Sequence, residues 1–321
     1  MRLAFALSGK RPANDAVALA RAAEELGFAD VWLTEDYCER GAFALAGAVA
    51  VATDRVRVGI GVVNPWTRHS VLTAMETAAL AELAPGRVVL GLGASNPRWM
   101  EEQLGIPFEQ PLTVLDATTR AVRQALGGAK VVGHDGRFDV DVQLAFTPPS
   151  PIPLHLGVKG PKALALAGDV ADGVLLSVLS SAPYIRWVRD ILGSGVELGA
   201  YVALSIDDDR DAARQHIIPF TATFLGIHGD HAITRTAGLD ADLLAAFRRG
   251  WVDGAPRTDL VDDRILDTFV VAGDHDTCAA RVAELADAGL DALVVHDQMA
   301  DDPVAQLEAV VEVVSSVTAP A

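Results

Sequence analysis

Two stretches of the chain concentrate side chains fit for chemistry. Glu35-Asp36-Tyr37 sets two carboxyl groups beside a phenol, and Asn64-Pro65-Trp66-Thr67-Arg68-His69 gathers an amide, an indole, a guanidinium and an imidazole. Glu35, Asp36 and His69 are the candidates for moving a proton, because a carboxyl or an imidazole can be tuned toward neutral pH. His69 has a second reading, as a cap on the helix that follows. Trp66 can flank a planar ring or simply close the mouth of the fold. No Ser-His-Asp order, nucleophile elbow or metal-spaced His/Cys cluster accompanies them. The acidic run at 207–211 lacks the glycine of a calcium loop and reads as a helix N-terminus.

Glycine and lysine supply the other candidate chemistry. Gly91 and Gly93 end an aliphatic run, where a missing Cβ lets a flat ring or a phosphate tail approach the backbone. A tight strand exit would use the same glycines. Lys159-Gly160-Pro161-Lys162 places two of the chain's four lysines, with free backbone N–H groups, at a helix start, which suits a phosphate. An ordinary helix start with exposed lysines is the alternative. The formal charge of −17 gives that cluster weight, since an anionic ligand must be held by local cations against an unfavourable field. The same charge argues against nucleic acid or an anionic membrane surface as a partner.

These residues need elements to place them. Residues 3–8 read as a short buried strand rather than the core of a signal peptide. A helix over 15–26 follows, capped by Asn14 and ended by Gly27. Strands at 29–34 and 56–63 flank a helix near 43–52, and an amphipathic helix over 71–83 leads to a strand at 87–92. Residues 109–126 read as a helix, and 130–146 as a hairpin around His134-Asp135-Gly136-Arg137. A strand at 152–158, a helix opened by Pro161, a strand at 172–178, a helix over 183–192 and a strand at 196–206 continue the series. A helix from 207 to about Ile217 precedes a helical insertion at 218–267, whose Phe224, His228, His231 and Trp251 would form a lid. A strand-like piece at 269–272, a helix over 276–288, a strand at 292–296 and a last helix capped by Asp301 or Asp302 close the chain.

Eight strands, nearly all followed by helices, predict a (β/α)8 TIM barrel, one domain over 1–321 with the insertion before its last strand. A doubly wound sheet is the alternative, but no G-x-G-x-x-G follows the first strand. In a barrel the candidate residues all fall in loops after the carboxyl ends of strands, where such folds build their sites. No run of 18 apolar residues exists to span a membrane. Cys38 and Cys278 are too isolated for a disulfide framework, which fits a reducing cytoplasm.

Trp32-Leu33-Thr34-Glu35-Asp36-Tyr37, the segment 59–73, Gly86-Arg87-Val88-Val89-Leu90-Gly91-Leu92-Gly93 and the segment 153–177 together resemble the luciferase-like flavin and deazaflavin oxidoreductases. So do Phe269-Val270-Val271-Ala272-Gly273 and Ala292-Leu293-Val294-Val295-His296. The likeness covers most of the chain outside the insertion. The Asn-Pro-aromatic-Thr-Arg-His stretch resembles most the methylenetetrahydromethanopterin reductase branch, which uses the deazaflavin coenzyme F420. The resemblance implies a TIM barrel with a non-prolyl cis peptide, here Gly61–Val62, in a bulge of strand 3 that backs the deazaflavin ring. It implies a cofactor site of Gly61, Val62, Asn64, Gly91, Gly93, Ala94, Val158, Lys159, Gly160, Pro161 and Lys162, with the last four on the phosphate. Glu35 and Asp36 match positions that contact the ring.

The chain departs from the family pattern twice. Many relatives carry an acid followed by His after strand 2, where this chain has Glu35-Asp36. The methanopterin reductases place a Glu near the end of strand 1, where this chain reads Ala4-Phe5-Ala6-Leu7-Ser8. The expected function is therefore hydride exchange between deazaflavin C5 and a small organic substrate other than methylenetetrahydromethanopterin. An FMN-dependent luciferase-like monooxygenase and a non-catalytic cofactor-binding protein are the rival readings, and a homodimer is the expected assembly.

Overall fold

The computed structural model describes residues 1–297, 300 and 302–318. Its strands, in chain order, are β1 (Arg2–Leu7), β2 (Asp30–Leu33), β3 (Arg57–Val63), β4 (Val88–Gly93), β5 (Val131–His134), β6 (Asp139–Val142), β7 (Leu154–Gly157), β8 (Gly173–Leu176), β9 (Glu197–Val202), β10 (Leu204–Ile206), β11 (Val271–Gly273) and β12 (Ala292–His296). Eight of them close into a barrel in the order β1-β12-β9-β8-β7-β4-β3-β2. Those eight are the eight expected from the sequence, each followed by at least one helix before the next barrel strand. β5 and β6 form the antiparallel hairpin, outside the barrel. By their internal contacts the residues group into two compact units, one of 6–158 and 165–175, the other of 1–5, 159–164 and 176–321.

In the first unit, bulky rings decide where glycine must stand. Trp32 on β2 lies directly opposite Gly59 on β3, and His155 on β7 directly opposite Gly173 on β8. A Cβ on Gly59 would come 2.4 Å from the Trp32 ring, and one on Gly173 would come 2.5 Å from His155 Nε2. The two rings, both almost fully buried, meet with centroids 5.5 Å apart. Large and small residues thus alternate across neighbouring strands so that the interior fills without overlap. Glu24, at the end of the helix Ala13–Glu25, accepts hydrogen bonds from the backbone N–H groups of Asp54, Arg55 and Val56 at 2.6–3.0 Å for its Oε1. It therefore pins the turn that starts β3.

The second unit holds β9, β12 and the helical segment between β10 and β11. The expected strand over 196–206 breaks at Ala203. Residues before the break stay in the barrel, and β10 beyond it pairs in parallel with β11 in a separate two-stranded sheet. The helix expected to end near Ile217 instead runs as one piece, Arg210–His228, with Pro219 inside it. Proline removes one N–H from a helix interior and normally ends it. Here Ile217, Ala222 and Leu225 pack into a core with Val178, Leu179, Ala203 and Phe247, and that burial outweighs the lost bond. The helical segment between β10 and β11 therefore opens with one long helix that Asp209 caps, accepting from the Asp211 and Ala212 N–H groups. Its remaining helices are Ala232–Arg235, Ala241–Val252, a 3-10 turn at Thr258–Leu260 and Asp263–Phe269.

Two expected caps differ. The first helix starts at Ala13 with Pro12 before it, so Asn14 lies inside the helix rather than capping it. Asp302 caps the last helix, Pro303–Thr318, through the Ala305 N–H at 3.0 Å, while Asp301 lies outside the described residues.

The ring–glycine pairing makes a direct prediction. Gly173→Ala should destabilise the chain by about 1–3 kcal/mol, the usual range for overpacking a filled interior. Chemical denaturation against the wild type would measure it, with Gly195→Ala, which meets no neighbour, as the neutral control.

Candidate active site

β3 carries the central irregularity of the first unit. Its pairing with β4 is regular to Ile60↔Leu90, shifts, and resumes at Val63↔Leu92. The two residues in the shift are Gly61 and Val62, and the peptide between them is cis. The shifted Val62 side chain lies over Gly91, Gly93 and Gly157. A Cβ on Gly93 would come 2.6 Å from Val62 Cγ2, and one on Gly91 would come 2.5 Å from the Ile60 carbonyl oxygen. The space left by these glycines is thus filled by the chain itself, chiefly by Val62. A strand-exit reading of Gly91 and Gly93 misses this, because neither has a left-handed φ.

The loops after β2, β3 and β4 are tied together by one small network. Asn64 is buried, and its Oδ1 accepts from the backbone N–H of Trp66 at 2.8 Å and of Thr67 at 3.0 Å. Its Nδ2 donates to the Tyr37 hydroxyl, which in turn donates to Ser95 Oγ at 3.3 Å. Tyr37, whose phenol burial raises above its ordinary value, is the member the site list from sequence lacked. Its signal was present, since it directly follows the acidic pair. Ala94 belongs with Tyr37, Trp66, Met100 and Val114 in the apolar cluster beneath.

The three proton-moving candidates fare differently. Glu35 is committed: its Oε1 accepts from Arg68 Nε at 2.8 Å and its Oε2 from the Ala42 N–H at 2.9 Å. Arg68 also reaches Glu76 at 2.6 Å and lies over the Phe43 ring, so Glu35 anchors a loop to two helices. His69 caps the helix Ser70–Leu83, its Nδ1 accepting from the Val71 N–H at 3.1 Å, and its ring stacks on Phe138 at 4.7 Å. Asp36 is the poised group. Burial pushes its carboxyl above the usual range and the Glu35 charge adds to this, while the Thr34 hydroxyl and Lys10 pull it down.

In the second unit the segment after β7 forms its own cluster. Pro161 is the first residue of the helix Pro161–Val170, with Lys162 exposed behind it. Lys159 turns the other way. Its backbone oxygen accepts from the Tyr184 hydroxyl at 2.7 Å, and its Nζ stands 3.4 Å from His228 Nδ1. Among the described residues no carboxylate forms an ion pair with Lys159, and burial pulls its ammonium below the usual lysine range. His228 Nε2 lies 2.9 Å from the Val178 carbonyl oxygen, which can only accept. The imidazole therefore carries its proton on Nε2 and presents the Nδ1 lone pair to Lys159. His231 stands beside Gly160, its Nε2 3.8 Å from where a Gly160 Cβ would be. Sequence reasoning put His228 and His231 in a lid and did not join them to Lys159, because 69 residues separate His228 from it.

Burial, with the Lys159 charge adding, pulls the His228 imidazole from about 6.5 down to about 3. The folded form thus resists a proton that the unfolded chain accepts. Stability should be unaffected by this group above about pH 6.5 and fall as the pH drops toward 3. His228→Gln should flatten that part of the stability–pH profile, read from denaturant midpoints between pH 7 and 4.

A family model described as luciferase-like monooxygenase matches residues 2–292. The chain is 32% identical over 290 residues to a 5,10-methylenetetrahydromethanopterin reductase of Methanolobus tindarius, covering 86% of this chain and 87% of that one. It is 28% identical over 324 residues to an F420-dependent glucose-6-phosphate dehydrogenase of Beutenbergia cavernae, covering 94% and 93%. Among solved structures, the coenzyme F420-dependent tetrahydromethanopterin reductase of Methanopyrus kandleri superposes with a TM-score of 0.85 at 25% identity, covering 99% of both chains. With that match running almost from end to end, the chain belongs to the luciferase-like monooxygenase family.

Proposed function

We propose that the chain is an oxidoreductase that binds coenzyme F420 and exchanges a hydride with a small organic substrate. The observation that carries this is Lys159, a partly buried lysine that forms no ion pair among the described residues, next to the start of the helix Pro161–Val170. A phosphate fits such a place, because it supplies the missing negative charge and accepts from the backbone. The deazaflavin is supported over other phosphate-bearing cofactors because the glucose-6-phosphate dehydrogenase relative and the solved tetrahydromethanopterin reductase, which differ in substrate, are both named for F420.

The roles of this chain's residues follow. The backbone at Gly61 and Val62 offers a flat apolar backing for a ring, with Gly91 and Gly93 keeping Val62 in place. Asn64, Ala94 and Val158 complete the lining, and Lys159, Gly160, Pro161 and Lys162 take the phosphate. When bound, the deazaflavin supplies a carbon centre that passes hydride rather than single electrons. Asp36, whose carboxyl is held toward its protonated form, is the residue placed to give or take the accompanying proton. Glu35 and His69 hold the loops that present it. Ala4-Phe5-Ala6-Leu7-Ser8 carries no carboxylate, which points away from a methanopterin substrate. FMN remains the alternative cofactor because it too brings a phosphate and a flat ring.

A homodimer is supported by the helix Ala42–Ala52, which has no polar side chain, and by its neighbour Ser70–Leu83. Val51, Leu72, Met75 and Leu83 on these helices are 42–68% exposed. A helix apolar on every side is normally covered, and a second copy of the same surface is the simplest cover.

Two measurements test these readings. Tryptophan quenching on titration should be saturable with F420 and weak with FMN; tight FMN binding without response to F420 would overturn the cofactor reading. With the first alcohol, aldehyde or imine of a panel that changes deazaflavin absorbance, Asp36→Asn should lower kcat by about 10²-fold or more while leaving cofactor affinity intact. If no substrate on a broad panel turns over, the chain is a cofactor-binding protein instead.

A further inference from the structure

The hairpin of β5 and β6 has no part in the proposed redox site, yet its turn is fixed with unusual thoroughness. Asp135 is buried, and its Oδ1 accepts from the Arg137 and Phe138 N–H groups at 3.0 and 2.7 Å. Its Oδ2 accepts from Ser70, and its backbone oxygen from Thr118 Oγ1 at 2.9 Å. Gly136 has φ +99° and lies so close to the helix Pro111–Leu126 that a Cβ would come 2.9 Å from Val114 Cα. Only glycine allows that turn on that surface. The effect is to deliver Arg137 to one place.

That place is a cavity of about 200 Å³ lined by Trp66, Pro107, Glu109, Val114, Gly136 and Arg137. Arg137 differs there from the arginines that ion pairs tie down. Arg57, Arg68, Arg123, Arg189 and Arg214 each hold a carboxylate within 3.1 Å or less. Arg137 forms no ion pair among the described residues, and its Nη1 is buried with no hydrogen-bond acceptor. Its guanidinium lies over the Trp66 ring at 5.9 Å and over Phe138 at 5.6 Å. Aromatic faces offset part of the desolvation of a guanidinium but accept none of its directed N–H bonds. In a chain of charge −17, an arginine that shares its cavity with Glu109 yet pairs with no acid among the described residues leaves its N–H donors open to an acceptor from outside.

The lining narrows what that acceptor is. A guanidinium matches a carboxylate in two parallel bonds. Trp66, seven per cent exposed and packed on Phe108, offers a small apolar edge to the cavity. Glu109 shares the cavity and repels any anion, so Arg137 can offset one negative charge of a ligand but not two. We propose that Arg137, Trp66 and Glu109 form a subsite for a planar monocarboxylate, its carboxylate on Arg137 and its apolar body along Trp66. Trp66 lies two residues beyond Asn64 in the loop after β3, so the subsite would hold the acidic end of the substrate. That last assignment rests on the redox reading above, whereas the binding itself does not.

The test uses benzoate as the probe on the full chain without cofactor. Benzoate should quench tryptophan fluorescence saturably, and Trp66→Phe should remove the signal. Arg137→Gln should weaken binding by at least about tenfold, the worth of a lost charge-assisted pair, whereas Arg137→Lys should fall between. Benzamide, of the same shape without the charge, should bind at least about tenfold more weakly than benzoate, for the same reason. Equal benzoate affinity in the wild type and Arg137→Gln, equal binding of benzamide, or no saturable response would overturn the subsite. An intact benzoate site in a chain that fails to bind F420 would refute the F420 reading and leave the subsite standing.

Discussion

A lysine partly withdrawn from water, with no carboxylate paired to it among the described residues, is the constraint on which the second unit's chemistry depends. Desolvation alone drives such a group toward its neutral form. The residues around Lys159 make the arrangement tolerable without cancelling the charge. Tyr184 fixes its backbone through the carbonyl oxygen, and His228 presents a lone pair rather than a negative charge to its Nζ. His228 can do so because the Val178 carbonyl holds its other nitrogen in the protonated form. A carboxylate in the place of His228 would have satisfied Lys159 and left nothing for a ligand. A neutral imidazole orients the ammonium and leaves its charge available. The segment from Lys159 to Lys162 thus combines a held cation with a helix start, the two elements of an anion seat.

The first unit obeys a different constraint, that of filling space. Trp32 and His155 need Gly59 and Gly173 opposite them, and Val62 needs Gly91, Gly93 and Gly157. Each glycine is explained by a neighbouring strand rather than by its own turn. The same unit uses its polar residues mainly to join loops. Glu35 locks onto Arg68 and Ala42, and Asn64 joins Trp66, Thr67 and Tyr37. These commitments leave Asp36 with a carboxyl raised by burial, as is that of Glu39 three residues on.

Much of this was legible in the sequence, and the reasons for what was not are physical. All eight barrel strands were readable because buried parallel strands are short aliphatic runs bounded by turn residues. The cis peptide at Gly61–Val62 came from family likeness, since no local pattern marks it. Pro219 misled because proline usually ends a helix, and only the packing of Ile217, Ala222 and Leu225 on distant residues overrides it. Asn14 misled because capping preference says which residues cap well, not which position the chain uses. Gly91 and Gly93 were noticed for the right reason, a missing Cβ, but Val62 fills the space. His228 could not be joined to Lys159, because a contact between residues so far apart in the chain leaves no periodicity.

The central claim, that Lys159 exists to hold the phosphate of a deazaflavin, is tested most directly by calorimetric titration of two ligands against two proteins. The ligands are F420 and the same deazaflavin without its phosphate; the proteins are the wild type and Lys159→Met. The account predicts that F420 binding falls in the variant to nearly the affinity of the phosphate-free ring, while the ring itself binds both proteins alike. An equal loss for both ligands, or no loss for F420, would contradict it.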